Sequence, residues 1–228
     1  MSISKDNSGG MNTGRIRALA DGVFAFAMTV LVLDLKGTQP KGASFWQQIQ
    51  PLIPKFFPYV VSFLILGLYW TGHYSEFHYI KRTTRMHLWL NILLLMFIAL
   101  IPFSASLLTE REMNQFSMVI YGINLIAVLV AFYVQWSYAT HNHRLVEPNL
   151  DARLIRDVKK RILSNIFFFI LALGVSFWST ALSLILYLLI QMFYVLKTSQ
   201  TITGSPAEIE QAASDEQMTD EPLRGSSP

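Results

Sequence analysis

Residues 15–35 read RIRALADGVFAFAMTVLVLDL. Two arginines and an aspartate fall in the first seven positions, and Gly22 to Leu33 then carry no charge at all. A bilayer core about 30 Å thick is crossed by roughly 20 apolar residues in helical form, and this stretch has that length. Five further apolar blocks follow, at about 57–79, 87–108, 116–138, 162–178 and 180–196. Unbroken runs exclude barrel strands, which alternate over about ten residues. Pro58 falls at the start of the second block, where no amide donor is needed. Pro102 predicts a kink in the third. The last two blocks are short and meet at a turn near Trp178 and Ser179. Only 14% of the chain is charged, against about a quarter in a soluble domain. The fold class is therefore all-α and integral to a membrane, with six transmembrane helices.

Charge sets the orientation. With six spans, 14 of the 18 lysines and arginines share one side, and only Lys36, Lys41, Lys55 and Arg111 lie on the other. Positive loops stay in the cytoplasm, which places both termini there and makes this a multi-pass protein of the cell membrane. Residues 1–14 form a cytoplasmic N-terminus, 15–197 the membrane domain, and 198–228 a cytoplasmic tail. The polar start offers no cleavable leader, so the first helix serves as the insertion signal. The tail is rich in Ser, Thr, Gly, Pro, Asp and Glu, which predicts disorder. Residues 147–161 read as a cytoplasmic extension of the fifth helix. Absence of cysteine excludes disulfides, thiolate metal sites and cysteine nucleophiles. A net charge of +3 gives no reason to expect nucleic acid.

Ionisable groups inside a span are costly and tend to face protein or water. Asp21 lies about two turns into the first helix. Arg17, four residues earlier, shares its face and can pair with it; Arg15 lies further out. His73 and Glu76 late in the second segment, and Asn91 early in the third, fall at the same depth. A polar cluster from three helices is one reading. The other is that Arg17 snorkels to the headgroups, that Asp21 pairs with it, and that Glu76 is interfacial. Beyond Asp21, the residues Phe26, Thr29, Val30 and Leu33 form a stripe at helical spacing, while Gly22, Ala25 and Ala27 permit close helix approach. Such a stripe serves helix packing as readily as a pore. Trp46, Trp70, Trp136, Trp178, Tyr59 and Tyr138 stand near segment ends, as an aromatic belt does.

Several signatures are missing. No TVGYG-type run encodes a carbonyl filter, no arginine ladder a voltage sensor, and no metalloprotease, hydrolase or phosphate-loop motif an enzyme. His141 and His143 alone do not make a metal site. No cofactor is expected.

At residues 15–35 the chain resembles the bacterial and archaeal transmembrane protein 175 family. The family's hallmark is Arg-x-x-x-Phe-Ser-Asp before a Gly-Val-rich apolar stretch ending in Leu and an acid. Here Arg15 and Asp21 are retained, Gly22-Val23 follows, and Leu33-Asp34 closes the run; Leu19 and Ala20 replace the Phe and Ser. Trp70-x-x-His73, Leu90-Asn91 and the run from Ile98 to Phe103 also match. The likeness covers about residues 11–197. It implies a homotetramer in membrane lipid with the first helices around a central pore permeable to potassium ion. By motif position, Phe26, Val30 and Leu33 form the apolar constriction, with Phe26 replacing the usual Ile or Leu, and Thr29 matches a hydroxyl linked to selectivity. Arg15, Arg17, Asp21, His73 and Asn91 are the structural polar cluster. The competing functions are a proton-conducting channel or proton-coupled transporter relaying through Asp21, His73 and Glu76, and a non-conducting membrane scaffold.

Overall fold

The computed structural model describes residues 13–35, 44–110 and 114–202. The segment 1–12, the loop positions Lys36, Lys41 and Arg111, and the tail beyond Ile202 lie outside the described residues. Within them the chain is helical: α1 (Thr13–Val30, continued by a 3-10 turn Leu31–Leu35), α2 (Phe45–Ile49), α3 (Ile53–Tyr79), α4 (Arg85–Ala99), α5 (Ile101–Glu110), α6 (Gln115–Thr140), α7 (Ala152–Val175) and α8 (Thr180–Ile202). Two units are distinguished, residues 1–192 and 193–228, and of the second only the helical residues to Ile202 are described.

Among the described residues, four helices are long and apolar enough to cross a membrane: Thr13–Leu33, Ile53–Tyr79, Arg85–Thr109 and Gln115–His143. The chain is a multi-pass membrane protein. α7 carries Arg153, Arg156, Lys159, Lys160 and Arg161 in its first half, and the apolar part of α8 is shorter, over Thr180–Phe193.

The second span begins earlier than its apolar block suggests. A 3-10 turn at Gln50–Leu52 feeds straight into α3, and Pro54 occupies its first turn. Pro58 therefore sits inside the helix, buried, instead of at its start. α7 is one continuous helix from Ala152, with the Asp151 carboxylate capping it by accepting from Arg153 N–H at 2.8 Å. α8 runs past the boundary at 197, because no glycine or proline interrupts the sequence before Gly204 and Pro206.

The third span breaks as Pro102 requires. α4 ends at Ala99 and α5 starts at Ile101, since proline supplies no amide and crowds the preceding turn. Asn124 of α6 covers the break. Turned so that both ends are satisfied, its amide donates to the Phe97 carbonyl at 3.3 Å, and its oxygen accepts from Ile101 N–H and Ser104 Oγ at 3.2 Å. A buried backbone group in lipid needs such a partner.

Between helices, packing and a few polar ties replace the hydrophobic force that lipid cannot supply. Tyr69 Oη donates to the Leu125 carbonyl at 3.2 Å, and Ser62 Oγ meets Tyr121 Oη at 3.0 Å, both joining α3 to α6. Gly122 lets α6 receive α7 and α8, because a Cβ there collides with Tyr187 Oη and lies 2.9 Å from Leu173 Cδ1. At one end of the bundle, Ile80 and Val146 form an isolated antiparallel bridge. The Leu145 carbonyl accepts from Lys81 N–H at 3.0 Å and Arg82 N–H at 3.3 Å, clasping the α3–α4 link to the α6–α7 loop.

Candidate functional site

α1 has two faces of different kind. Ile16, Ala20, Phe24, Ala27 and Leu31 recur at steps of three and four and are buried. They seat the helix against α3, α4 and α5. On the opposite side, Phe26 is 69% exposed and Leu33 52%. Thr29 is also exposed and Val30 half-buried. The stripe at 26, 29, 30 and 33 thus points away from its own bundle. A phenylalanine with so little cover in its own chain does not serve packing inside that chain. Thr29 Oγ1 donates to the Phe26 carbonyl at 2.8 Å, which engages its proton and leaves its oxygen lone pairs outward.

The polar residues are brought to α3, but not all to one another. Arg17 does not pair with Asp21. Its guanidinium donates to the Phe77 carbonyl and lies 5.8 Å from the Phe77 ring. The Asp21 carboxylate accepts from Trp70 Nε1 at 2.8 Å. A helix spacing that permits an ion pair is outcompeted here by two ties to the neighbouring helix. His73 and Asn91 do meet, Nε2 to Oδ1 at 2.9 Å, and both are buried. The His73 ring packs on Phe24 at 5.9 Å and on Phe77 at 4.5 Å, so this pair sets the depth at which α1 sits. Arg15 is exposed, away from the pair. Ala20 is fully enclosed in the apolar core, so the small residue at this hallmark position faces packed side chains. Leu19 is half-exposed.

Glu76 is enclosed by its own chain. It is 7% exposed, enclosed beside Gln135 of α6 and within electrostatic reach of Arg161 on α7. Its Oε2 and both polar ends of Gln135 are buried without a hydrogen-bond partner. His87 is enclosed as well and bonds Thr83 Oγ1 through Nδ1 at 2.9 Å. Three partnerships were not foreseen from sequence. Trp70 reads as a belt residue, while Gln135 and Arg161 lie 59 and 85 positions from Glu76. A polar residue within an apolar run was the only signal for Gln135.

Comparison with known proteins follows the same lines. The family described as "Endosomal/lysosomal potassium channel TMEM175" matches over residues 15–102, the part that holds α1, α3, α4 and the Pro102 break. A protein of Streptomyces collinus described as a potassium channel is 33% identical over 187 residues, 80% of this chain and 91% of that one. The Gallus gallus protein described as endosomal/lysosomal proton channel TMEM175 is 33% identical over 105 residues, 42% of this chain but 21% of its own length. Among solved structures, the crystal structure described as a lysosomal potassium-selective channel TMEM175 homolog from Chamaesiphon minutus superposes with a TM-score of 0.71. Its identity is 26%, and the match covers 81% of this chain and 97% of that one. With its hallmark helix, its polar ties and near end-to-end likeness to a bacterial channel, the chain belongs to the TMEM175 family.

Proposed function

We infer that this chain is a potassium-permeable channel in which four copies assemble with α1 of each around a central path. The observation that carries it is the exposed apolar stripe on α1, a helix otherwise wedged against α3, α4 and α5. A face that its own chain leaves bare, in a helix that its own chain holds firmly, suits a shared axis. On this reading Phe26, Val30 and Leu33 form successive apolar rings, and a ring of phenyl groups gates by excluding water. Thr29 is the selectivity residue: its hydroxyl proton is engaged by the Phe26 carbonyl, so the oxygen offers lone pairs to a partly dehydrated cation. The channel domain spans residues 15–197 with six crossings, α7 and α8 providing the last two. Both termini and the tail are cytoplasmic, in the cell membrane. The names of the bacterial relatives support the ion.

The test is flux from liposomes loaded with potassium or sodium by the purified full chain. Potassium efflux above sodium efflux supports the reading, and absence of any flux refutes it in favour of a scaffold. Labelling a single cysteine at position 155 from outside intact cells refutes the both-ends-in topology.

A second reading, proton conduction, has one observation in its favour. Asp21 is exposed at one end of the bare stripe and accepts a hydrogen bond from the Trp70 indole, and the vertebrate relative is described as a proton channel. Acidification of liposomes that Asp21→Asn abolishes, with potassium flux retained, establishes it.

A further inference from the structure

We propose that the groove between α4 and α6 is a binding site for one anionic phospholipid, its acyl chain in the groove and its phosphate held by Arg82, Arg85 and Arg144. The groove has a volume of about 290 Å³. It is walled by Leu90, Leu93 and Phe97 on one side and Ile126, Val130 and Val134 on the other. It is close to the lower bound of about 300 Å³ for small-molecule sites. It is lined from both α4 and α6, so a chain lying in it meets two helices instead of one.

What makes the site selective is its end. The groove runs from Leu90 and Val134 toward the place where α4 begins and α6 stops. Thr84 Oγ1 and Tyr138 Oη are bonded there at 3.1 Å, and the Arg144 guanidinium lies 4.8 Å over the Tyr138 ring. Arg82 is held at the same spot by its backbone bond to the Leu145 carbonyl, and Arg85 opens α4. All three arginines are exposed and have no carboxylate partner among the described residues. The acid nearest Arg144 in sequence, Glu147, lies 3.6 Å from Lys81. Three cations around the mouth of an apolar groove complement a phosphate above an acyl chain. Arginine suits that phosphate through its planar fork of donors. The charge pattern puts this end at the cytoplasmic surface, where anionic headgroups attract basic side chains.

The full chain, purified in detergent, is titrated with phosphatidylglycerol or phosphatidylcholine and bound lipid is counted by native mass spectrometry. The wild type binds phosphatidylglycerol the more tightly. Replacing Arg82, Arg85 and Arg144 by Gln weakens it by about fivefold for each charge removed and leaves phosphatidylcholine unchanged. Ala127→Trp, which fills the groove, removes tight binding of both lipids. Equal wild-type affinity for the two lipids overturns the proposal, and so does phosphatidylglycerol binding that survives the arginine replacements. A Val130→Cys protein that cross-links to a second copy in native membranes also overturns it, by making the groove an interface between subunits. If Ala127→Trp does not fold, as its melting shows, the exposed arginine variants decide alone.

Discussion

The phenylalanines at 24 and 26 stand two residues apart in α1 and separate the two roles of that helix. Phe24 is 1% exposed, between His73 and the core; Phe26 is 69% exposed. Truncating an enclosed phenylalanine to alanine costs about 3–5 kcal/mol. Phe24→Ala is expected to cost that much. Phe26 has under a third of its surface covered by its own chain, so Phe26→Ala forfeits about 1–1.5 kcal/mol within the subunit by the same scale. On the pore reading it also removes an apolar plug, and a constriction that loses its phenyl rings admits water. Thermal unfolding and potassium efflux are measured on one preparation of each variant. The expected result is a small loss of stability with raised efflux for Phe26→Ala, and a large loss of stability without raised efflux for Phe24→Ala. A Phe26→Ala protein as unstable as Phe24→Ala, with unchanged efflux, would refute the reasoning, because it would place Phe26 in packing between copies and away from the path.

Trp70→Phe keeps an aromatic ring and removes the indole donor to Asp21; because this bond is exposed, a loss of about 0.5–1.5 kcal/mol in unfolding free energy is expected, with Asp21→Asn milder because its amide oxygen still accepts. Glu76→Ala removes an enclosed carboxyl beside Gln135 and strips that buried amide of its polar neighbour, a change expected to cost about 1–3 kcal/mol; yield of folded protein by size-exclusion chromatography checks it, and wild-type yield contradicts the burial described. Asn124→Ala uncovers the backbone at the Pro102 break and is expected to cost about 1–3 kcal/mol, read as a lowered melting temperature, and Asn124→Asp, which puts an ionisable group in a buried place and loses the donor to the Phe97 carbonyl, is no milder than alanine.

The sequence is legible where a physical constraint acts locally. The apolar run that begins at Gly22 favours a helix in the bilayer, and Pro102, lacking an amide, weakens the helix around it. The break at Leu100 and the start of α7 well before its apolar part follow from that kind of reasoning. What escapes is choice among distant partners. Arg17 and Asp21, one turn apart, looked like a pair. Each instead reaches across to α3, to the Phe77 carbonyl and the Trp70 indole, and nothing within four residues foretells that. Glu76 looked interfacial because an acid near the end of an apolar block usually is. Its enclosure depends on Gln135 and on a helix that the chain reaches only after residue 151. The assignments of Phe26, Thr29, Val30 and Leu33 came from resemblance, and the exposed face of α1 is consistent with them without requiring them.

The clasp between Ile80 and Val146 has a consequence for how the chain is made. Its two halves are 66 residues apart, and synthesis proceeds at about 5–20 residues per second. The α3–α4 link therefore waits on the order of 3 to 13 seconds after its own emergence before Leu145 arrives to receive the Lys81 and Arg82 amides. During that interval the first three spans can enter the bilayer as an open hairpin whose inner ends are still wet. Closure comes late. A lesion at Leu145 or Val146 then yields a chain that inserts normally but stays unlatched, which exposes it to quality-control proteases while leaving its topology intact.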